Sequence, residues 1–367
     1  MSSIVLGSAA KTVVNLDGKA ATYFGGTNYF GMSYNQEVIL AAQEGLIKWG
    51  MNSAGSRQTT GSAAAHLELE QKLAEALQRP NVVTCCSGYM INLILLQALQ
   101  GMFDICLLDE GAHCSVRDAV NGSAMPMATF RSCDVDDLGS KLQEHHSLGQ
   151  KALICTDGVF ASGALAPICA YQELARKWEA AILMDDAHGV GVLGKHGRGT
   201  LEHLGLPPDC VYQTGTLSKA FGCFGGFVAG DKPLTELVRE HSDAYIGSTP
   251  LPPAIACAAM VSIDIVSSDT TLRASLRRNT ELLKSGLRSL GIEFEDGPTP
   301  ISVFVLGDKE YNLKIHKELL DSDQLVPYNF YPGGPEHGFF RMVVTAMHTQ
   351  EQISRVIKTL GRLTSRS

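Results

Sequence analysis

Between about residues 80 and 230, short apolar runs alternate with stretches that have helical periodicity. One helical stretch follows Gly88 and extends to Gln100, and another covers residues 169–180. Six runs that are apolar or rich in β-forming residues predict buried strands, at 82–85, 105–108, 152–155, 181–184, 211–213 and 226–229. Apolar strands that alternate with helices are typical of a sheet covered by helices on its faces, so the pattern predicts an α/β fold.

Beyond about residue 250 the pattern changes. Pro250, Pro252 and Pro253 interrupt the chain, and long helical stretches follow at about 253–266 and 272–290. Shorter segments come next, with extended patterns at 301–305, 325–328 and 341–345 and helical patterns at 311–320 and 350–363. We therefore predict a short N-terminal segment at 1–30, a large α/β domain at 31–250 and a smaller α+β domain at 251–367.

The composition narrows the class of protein. Hydrophobic residues make up 45% of the 367 residues and charged residues 19%, which is normal for a globular protein and too apolar for a disordered one. The formal net charge of −8 argues against broad binding to a nucleic-acid backbone. No apolar run reaches the ~18 residues of a membrane span, and we expect no signal peptide at the N-terminus. Ten scattered cysteines without zinc-ligand spacing favour a reducing, cytoplasmic location.

Two segments in the second half of the large domain suggest chemistry. Lys219 follows a predicted strand in Thr216-Leu217-Ser218-Lys219, beside a glycine-rich turn, where a lysine could form a Schiff base. A surface lysine in a loop is the alternative. Asp185 and Asp186 end another strand, and ligands of open α/β sheets bind beyond such ends. An Asp there could keep a ring nitrogen protonated while His188 reaches a second group. A helix cap or an exposed turn would explain the same residues, and no third ligand supports a metal.

Two further segments could bind anionic groups. Gly88, in Ser87-Gly88-Tyr89, lies between a strand and a helix, where main-chain N–H groups suit a phosphate. Arg341 begins an apolar strand, and a bidentate carboxylate partner would stabilise it. That partner could be a substrate or a structural Asp or Glu. Taken together, the four segments supply the parts of a pyridoxal-phosphate (PLP) enzyme that acts on an amino acid.

The order of these motifs resembles the α-oxoamine synthase family of fold-type I PLP-dependent enzymes, from about Asn28 to the last helix. The resemblance implies a large, mixed, mostly parallel sheet domain with a smaller C-terminal α+β domain, and PLP as the cofactor. Further motifs carry the likeness: Asn28-Tyr29-Phe30-Gly31, Gly55-Ser56-Arg57 with His66, His113-Cys114-Ser115, Ser248-Thr249, and Arg341 seven residues before His348.

The resemblance also implies roles. Lys219 would carry the cofactor and Asp185 and His188 would contact its ring, with His113 stacked on it. Ser87, Gly88, Tyr89 and Thr216 would bind the phosphate, and Ser248 and Thr249 would reach the phosphate of a neighbouring subunit in a homodimer. Asn28 and Arg341 would contact the substrate. The family's serine before the Asp-Gly segment is displaced here, so Ser162 either takes its cofactor contact or that contact is absent.

The implied reaction is a decarboxylative condensation of a small amino acid with an acyl thioester, presented by CoA or a carrier protein, to give an α-amino ketone. Two other readings stay open. Another fold-type I activity, such as an aminotransferase or an aldolase-like lyase, would use the same Lys219 and Asp185, and a non-enzymatic PLP-binding protein would retain them without turnover.

Overall fold

We describe residues 4–330 and 334–365 from a computed structural model. The strands, in chain order, are β1 Val13–Leu16, β2 Lys19–Tyr23, β3 Asn81–Cys85, β4 Ile105–Asp109, β5 Met127–Phe130, β6 Ala152–Asp157, β7 Ala181–Asp185, β8 Val211–Thr216, β9 Gly226–Gly230, β10 Ile301–Phe304, β11 Gln324–Leu325, β12 Tyr328–Asn329 and β13 Phe339–Val343.

The helices, in the same order, are α1 Gln36–Trp49, α2 Ala64–Leu77, α3 Ile91–Ala98, α4 Cys114–Gly122, α5 Val135–Ser147, α6 Ile168–Lys177, α7 Thr200–Leu204, α8 Lys232–His241, α9 Asp243–Ile246, α10 Pro253–Ser268, α11 Thr270–Ser289, α12 Lys309–Asp321 and α13 Gln350–Thr364, with a 3-10 turn at Met32–Tyr34. No single helix in these described ranges is long and apolar enough to cross a membrane.

The described chain forms two compact units. The large unit comprises Gln36–Ala161 and Leu165–Ser268, and the described residues of the small unit are 4–35, Ser162–Ala164, 269–330 and 334–365. Their limits differ from the predicted ranges at both ends. Helix α10 packs on α1 and α2 of the large unit, so the division falls after residue 268 rather than 250. The N-terminal residues join the small unit because β2 pairs with β11.

A seven-stranded sheet in the order β3-β9-β8-β7-β6-β4-β5 is the centre of the large unit. Strand β9 runs antiparallel to both of its neighbours, and the remaining pairs are parallel. Every residue of β4, β6, β7 and β9 is buried. A strand covered on both faces needs apolar side chains on both sides, which is why these strands read as continuous apolar runs. The six predicted strands and the α/β class are confirmed.

The small unit holds two three-stranded sheets, β10-β13-β12 and β1-β2-β11. Helices α11, α12 and α13 contribute apolar side chains to one core with the first of these sheets. Strands β1 and β2 form a hairpin whose turn residues, Asp17 and Gly18, both have positive φ, as the tight turns of hairpins require. The predicted strand at 325–328 is instead two short strands on either side of Pro327, which cannot donate a main-chain hydrogen bond.

Candidate active site

Three neighbouring parallel strands of the large unit end in polar residues: β6 in Asp157, β7 in Asp185 and β8 in Thr216. Their carboxyl ends lie at one edge of the sheet and open into a cavity of about 260 Å³. The residues predicted from the sequence that line this cavity are Ser87, Gly88, Tyr89, His113, Asp185, His188, Thr216 and Lys219. The fold therefore brings together positions that are spread over more than a third of the chain.

The two consecutive carboxylates have different surroundings. Asp185 lines the cavity, and its oxygens accept hydrogen bonds from Asn92 Nδ2 at 2.7 Å and from the main-chain N–H of Ala187 at 3.0 Å. Asp186 is fully buried and accepts from Thr200 N, Thr200 Oγ1 and Gln213 Nε2 at 2.9, 2.6 and 2.9 Å. Burial raises the pKa of Asp186 to about 7. Asp185 thus faces the cavity, and Asp186 ties the end of β7 to the start of α7 and to β8.

Lys219 lies in a tight turn that begins directly after β8. The main-chain N–H of Ser218 donates to Thr216 Oγ1 at 3.1 Å, and that of Gly222 donates to the carbonyl of Lys219 at 3.0 Å. Thr216 Oγ1 also donates to the carbonyl of Gly225 at 3.0 Å. These bonds hold the half-buried lysine at the cavity wall. Fixed placement of an amine in a cavity suits covalent chemistry with a carbonyl group.

The segment Ser87-Gly88-Tyr89 lies at the N-terminal end of α3, next to the lysine turn. A Cβ atom on Gly88 would stand 2.5 Å from Thr216 Oγ1, so glycine is what lets the two turns approach. Hydroxyl groups of Ser87, Thr216 and Ser218 line this side of the cavity. Hydroxyls beside a helix N-terminus provide hydrogen-bond donors for an anion such as a phosphate.

His113 precedes α4 and caps it. Its Nδ1 lies 2.8 Å from Ser115 Oγ and accepts the main-chain N–H of Ser115 at 3.2 Å. Its own main-chain N–H donates to Asp157 Oδ2 at 2.8 Å. The ring of Tyr89 meets the imidazole edge-on, with ring centroids 6.3 Å apart, and the phenol of Tyr89 donates to Asp118. The imidazole is therefore held by contacts on several sides.

The other predicted residues lie elsewhere. Ser248 Oγ donates to the carbonyl of Ala244 at 2.5 Å, and Thr249 is exposed on the same unit. In the small unit, Ser162 Oγ accepts from the N–H of Ala164 at 3.3 Å, while Ala161 of the large unit lines the cavity. The cofactor contacts assigned to Ser162, Ser248 and Thr249 remain predictions.

Within the small unit, the segment at Asn28 meets Arg341. Asn28 Nδ2 donates to Ser33 Oγ at 2.7 Å, which shapes the turn. The next residue, Tyr29, is fully buried and forms a side-chain hydrogen bond with Arg341, and burial raises its pKa to about 12. The main-chain N–H of Arg341 donates to the carbonyl of Pro327 at 3.0 Å. Two predicted substrate-contacting segments at opposite ends of the chain are thus neighbours.

His348 is a structural histidine with a testable pH dependence. Its Nδ1 accepts the N–H of Thr345 at 3.0 Å, so its Nε2 carries the proton and donates to the carbonyl of Tyr23 at 3.0 Å. Burial lowers its pKa from 6.5 to about 4, so between these values the unfolded chain binds the extra proton. The neutral imidazole then contributes on the order of 3 kcal/mol above pH 6.5, and this is lost as the pH falls through 4.

We therefore expect the free energy of unfolding of the wild type to fall more steeply between pH 7 and pH 4 than that of His348→Asn. Urea unfolding across this pH range measures the difference. The variant of the exposed His203, His203→Asn, is the matched control and should keep the wild-type slope. Parallel curves for the wild type and His348→Asn would contradict the assignment.

Sequence reasoning missed Asn92 and Asp157. Asn92 interrupts an apolar helix and is fully buried; its Oδ1 accepts from Thr214 Oγ1 at 2.8 Å while its amide holds Asp185. A polar residue within an apolar run was the available signal. Asp157 ends an apolar strand as Asp185 does, so the pattern that identified the one could have identified the other.

This set of side chains fits PLP. The cavity offers an amine for its aldehyde, a carboxylate for its ring nitrogen, an imidazole for its ring face and hydroxyls at a helix N-terminus for its phosphate. Among the described residues, no group of three or more His, Cys, Asp or Glu side chains is placed to hold a metal ion.

Comparison with known proteins agrees with this geometry. Residues 24–360 match the family described as aminotransferase class I and II. The chain is 36% identical to 8-amino-7-oxononanoate synthase of Methylococcus capsulatus over 97% of its own length and 92% of that protein. It is 33% identical to 8-amino-7-oxononanoate synthase of Thermoanaerobacter pseudethanolicus, over 95% of this chain and 89% of that protein.

Solved structures of serine palmitoyltransferase are also similar. The one from S. paucimobilis, determined with bound PLP, superposes with a TM-score of 0.93 at 29% identity and covers 99% of this chain and 92% of that one. The one from Sphingomonas wittichii gives a TM-score of 0.94 at 28% identity and covers 99% of this chain and 92% of that one.

The chain belongs to the aminotransferase class I and II family and has the fold-type I architecture of its PLP-dependent transferases. Within that family it is an α-oxoamine synthase, a PLP-dependent acyltransferase. The fold class, the cofactor and the enzyme class predicted from the sequence are confirmed.

Proposed function

We propose that this enzyme condenses a small amino acid with an acyl thioester and releases carbon dioxide and a free thiol. In the balanced reaction the amino acid loses its α-proton, its α-carbon bonds to the acyl carbon, and the carbon–sulfur bond breaks. The carboxylate then leaves as carbon dioxide and a proton returns to the α-carbon, which gives an α-amino ketone. The cavity that joins Lys219, Asp185 and His113 is the observation that carries the proposal.

PLP, when bound, stabilises negative charge at the α-carbon of the amino acid. Lys219 holds the cofactor and moves the proton at its Nζ atom, which requires the neutral amine. Asp185 keeps a negative charge beside the ring nitrogen, because Asn92 and the N–H of Ala187 stabilise its ionised form. His188 is assigned to the ring hydroxyl, and His113 covers the ring. Asn28 and Arg341 keep their sequence-based assignment to the substrate.

The test is a panel of substrates given to the PLP-loaded enzyme. Glycine, alanine and serine are combined with CoA thioesters that include palmitoyl-CoA, since one relative is named for serine and palmitoyl groups. A dicarboxylic acyl-CoA is included because 8-amino-7-oxononanoate is an α-amino ketone that carries a carboxylate. We expect free thiol and carbon dioxide in equal amounts. Formation of pyridoxamine phosphate and a 2-oxo acid without thiol would instead establish an aminotransferase.

We also propose that the enzyme works as a homodimer. Ile47 on α1 is 88% exposed, Met51 just after this helix is 76% exposed, and Leu67 on α2 is 57% exposed. Both helices pack on α10, and large exposed apolar side chains are typical of a surface that another chain covers. The assignment of Ser248 and Thr249 to the phosphate of a facing subunit requires the same assembly.

Ile47→Glu should shift the protein from dimer to monomer in sedimentation velocity and lower its activity, because a buried charge in the interface is costly. Leu148→Glu, which changes an apolar residue 68% exposed after α5, is the matched control and should stay dimeric. A wild type that sediments as a fully active monomer would rule out the proposal.

A cytoplasmic location is part of this proposal. All ten cysteines are free in the structure, and Cys114 and Cys169 are exposed. Exposed free thiols persist in a reducing compartment.

A further inference from the structure

Two buried carboxyl groups stand side by side at the edge of the central sheet. Asp157 and Asp185 are the last residues of β6 and β7 and are opposite each other in the register of this parallel pair. They are 3% and 5% exposed, and both line the cavity. The proposed reaction uses Asp185 and leaves Asp157 without a task.

The two carboxyl groups accept different numbers of N–H hydrogen bonds. Each oxygen of Asp185 accepts an N–H group, one from Asn92 and one from Ala187. Asp157 accepts one N–H, from the main chain of His113 at 2.8 Å, on its Oδ2. Hydrogen bonds donated to a carboxylate favour its ionised form, so Asp185 is the better stabilised anion of the pair.

The groups around Asp157 shift its pKa in opposite directions. Burial raises its pKa well above the usual value, and the negative charges of Asp185 on β7 and Asp109 on β4 raise it further. The cation of Lys219 and the N–H of His113 lower it. Two adjacent buried carboxyl groups do not both ionise easily, and the proton goes to the one with fewer donors.

We propose that Asp157 is a positioning residue that acts as a neutral carboxylic acid, holding the main chain at His113 through Oδ2 and carrying the proton that leaves Asp185 ionised. This inference rests on the proposed use of Asp185 toward PLP. It predicts that the negative charge of Asp157 is dispensable and that its shape and its acceptor oxygen are not. A carboxylic acid kept neutral by a buried site is known chemistry in enzymes.

Two substitutions separate charge from shape. Asp157→Asn retains an oxygen that can accept the N–H of His113 and imitates the neutral acid, so its affinity for PLP and its kcat should stay within about 3-fold of wild type. Asp157→Ala removes the acceptor, and the loss of one buried hydrogen bond should weaken PLP binding by about 10-fold. If Asp157→Ala does not fold, Asp157→Asn alone still tests the inference. If the enzyme needed a charged carboxylate at position 157, Asp157→Asn would lose PLP affinity and turnover as severely as a variant that lacks the cofactor site.

Infrared difference spectroscopy of the PLP-loaded enzyme observes the proton directly. The wild type minus Asp157→Asn spectrum should contain the carbonyl band of a protonated carboxylic acid. The wild type minus Asp136→Asn spectrum, which changes an exposed aspartate on α5, should lack it. A carboxylate band in place of the acid band, together with more than a 10-fold loss of PLP affinity in Asp157→Asn, would overturn the inference. The infrared band and the affinity for PLP do not depend on acyl transfer. They therefore test this inference even if the proposed reaction proves wrong.

Discussion

Replacing Lys219 by alanine should abolish covalent attachment of PLP and lower turnover by at least ~10³-fold, because one amine both holds the cofactor and moves the substrate proton. Lys219 follows Thr216 in a turn whose main chain is fixed by hydrogen bonds to Thr216 and Gly225, so the loss is chemical and the turn itself should persist. Borohydride reduction followed by peptide mapping should place the pyridoxyl label on Lys219 in the wild type.

The matched control is Lys195→Ala, in an exposed loop of the same unit. It should retain the label, the visible absorption band of the bound cofactor and wild-type turnover. A pyridoxyl label on another lysine, or a Lys219→Ala enzyme that still turns over at a comparable rate, would show that the amine has been assigned to the wrong residue.

Asp185→Asn should lower turnover by about 10²- to 10³-fold, because the negative charge beside the ring nitrogen disappears while the side chain keeps its size. Both oxygens of Asp185 accept N–H groups, so the amide also sets one donor against another and costs about 1–3 kcal/mol of stability. Asp186→Asn should lower stability without the loss of turnover. Its oxygens accept three hydrogen bonds in the interior, and an amide nitrogen in place of one oxygen leaves donors facing donors. That costs about 1–3 kcal/mol of stability, with turnover of the folded enzyme near wild type.

Denaturant unfolding and steady-state kinetics of both variants measure the two effects separately. Asp185→Asn and Asp186→Asn serve as controls for each other, because both replace an aspartate by asparagine at adjacent positions. An inactive Asp186→Asn beside a nearly normal Asp185→Asn would mean that the cavity-facing carboxylate has been misidentified.

The strands that sequence reasoning missed share a physical cause. Strand β5, Met127–Phe130, pairs at the edge of the central sheet and exposes alternate residues, so it lacks the continuous apolar run of its neighbours. Strands β1 and β2, in a sheet of the small unit, are also partly exposed and lack a continuous apolar run. A pattern reports burial, and strands with half of their side chains in solvent leave a weaker pattern.

Contacts between distant positions were beyond the reach of any local pattern. Asn92 holds Asp185 across 93 positions of the chain, and the hydrogen bond of Tyr29 with Arg341 joins the N-terminal segment to β13. Neither partner reveals the other in the sequence, because the pairing depends on which strands become neighbours in a sheet.

The amino-acid sequence by itself determined the α/β class, six of the seven strands of the central sheet and the candidate chemistry at Lys219 and the Asp185–Asp186 pair, since burial and strand ends are local properties that leave local patterns. The resemblance to the α-oxoamine synthases added His113 and the choice of Asp185. The tertiary structure showed that Asp185 and not Asp186 lines the cavity, and it alone decided that α10 belongs to the large unit and that Asp157 stands beside Asp185. Those facts follow from the order and register of the strands, and that order is set by packing among residues far apart in the chain.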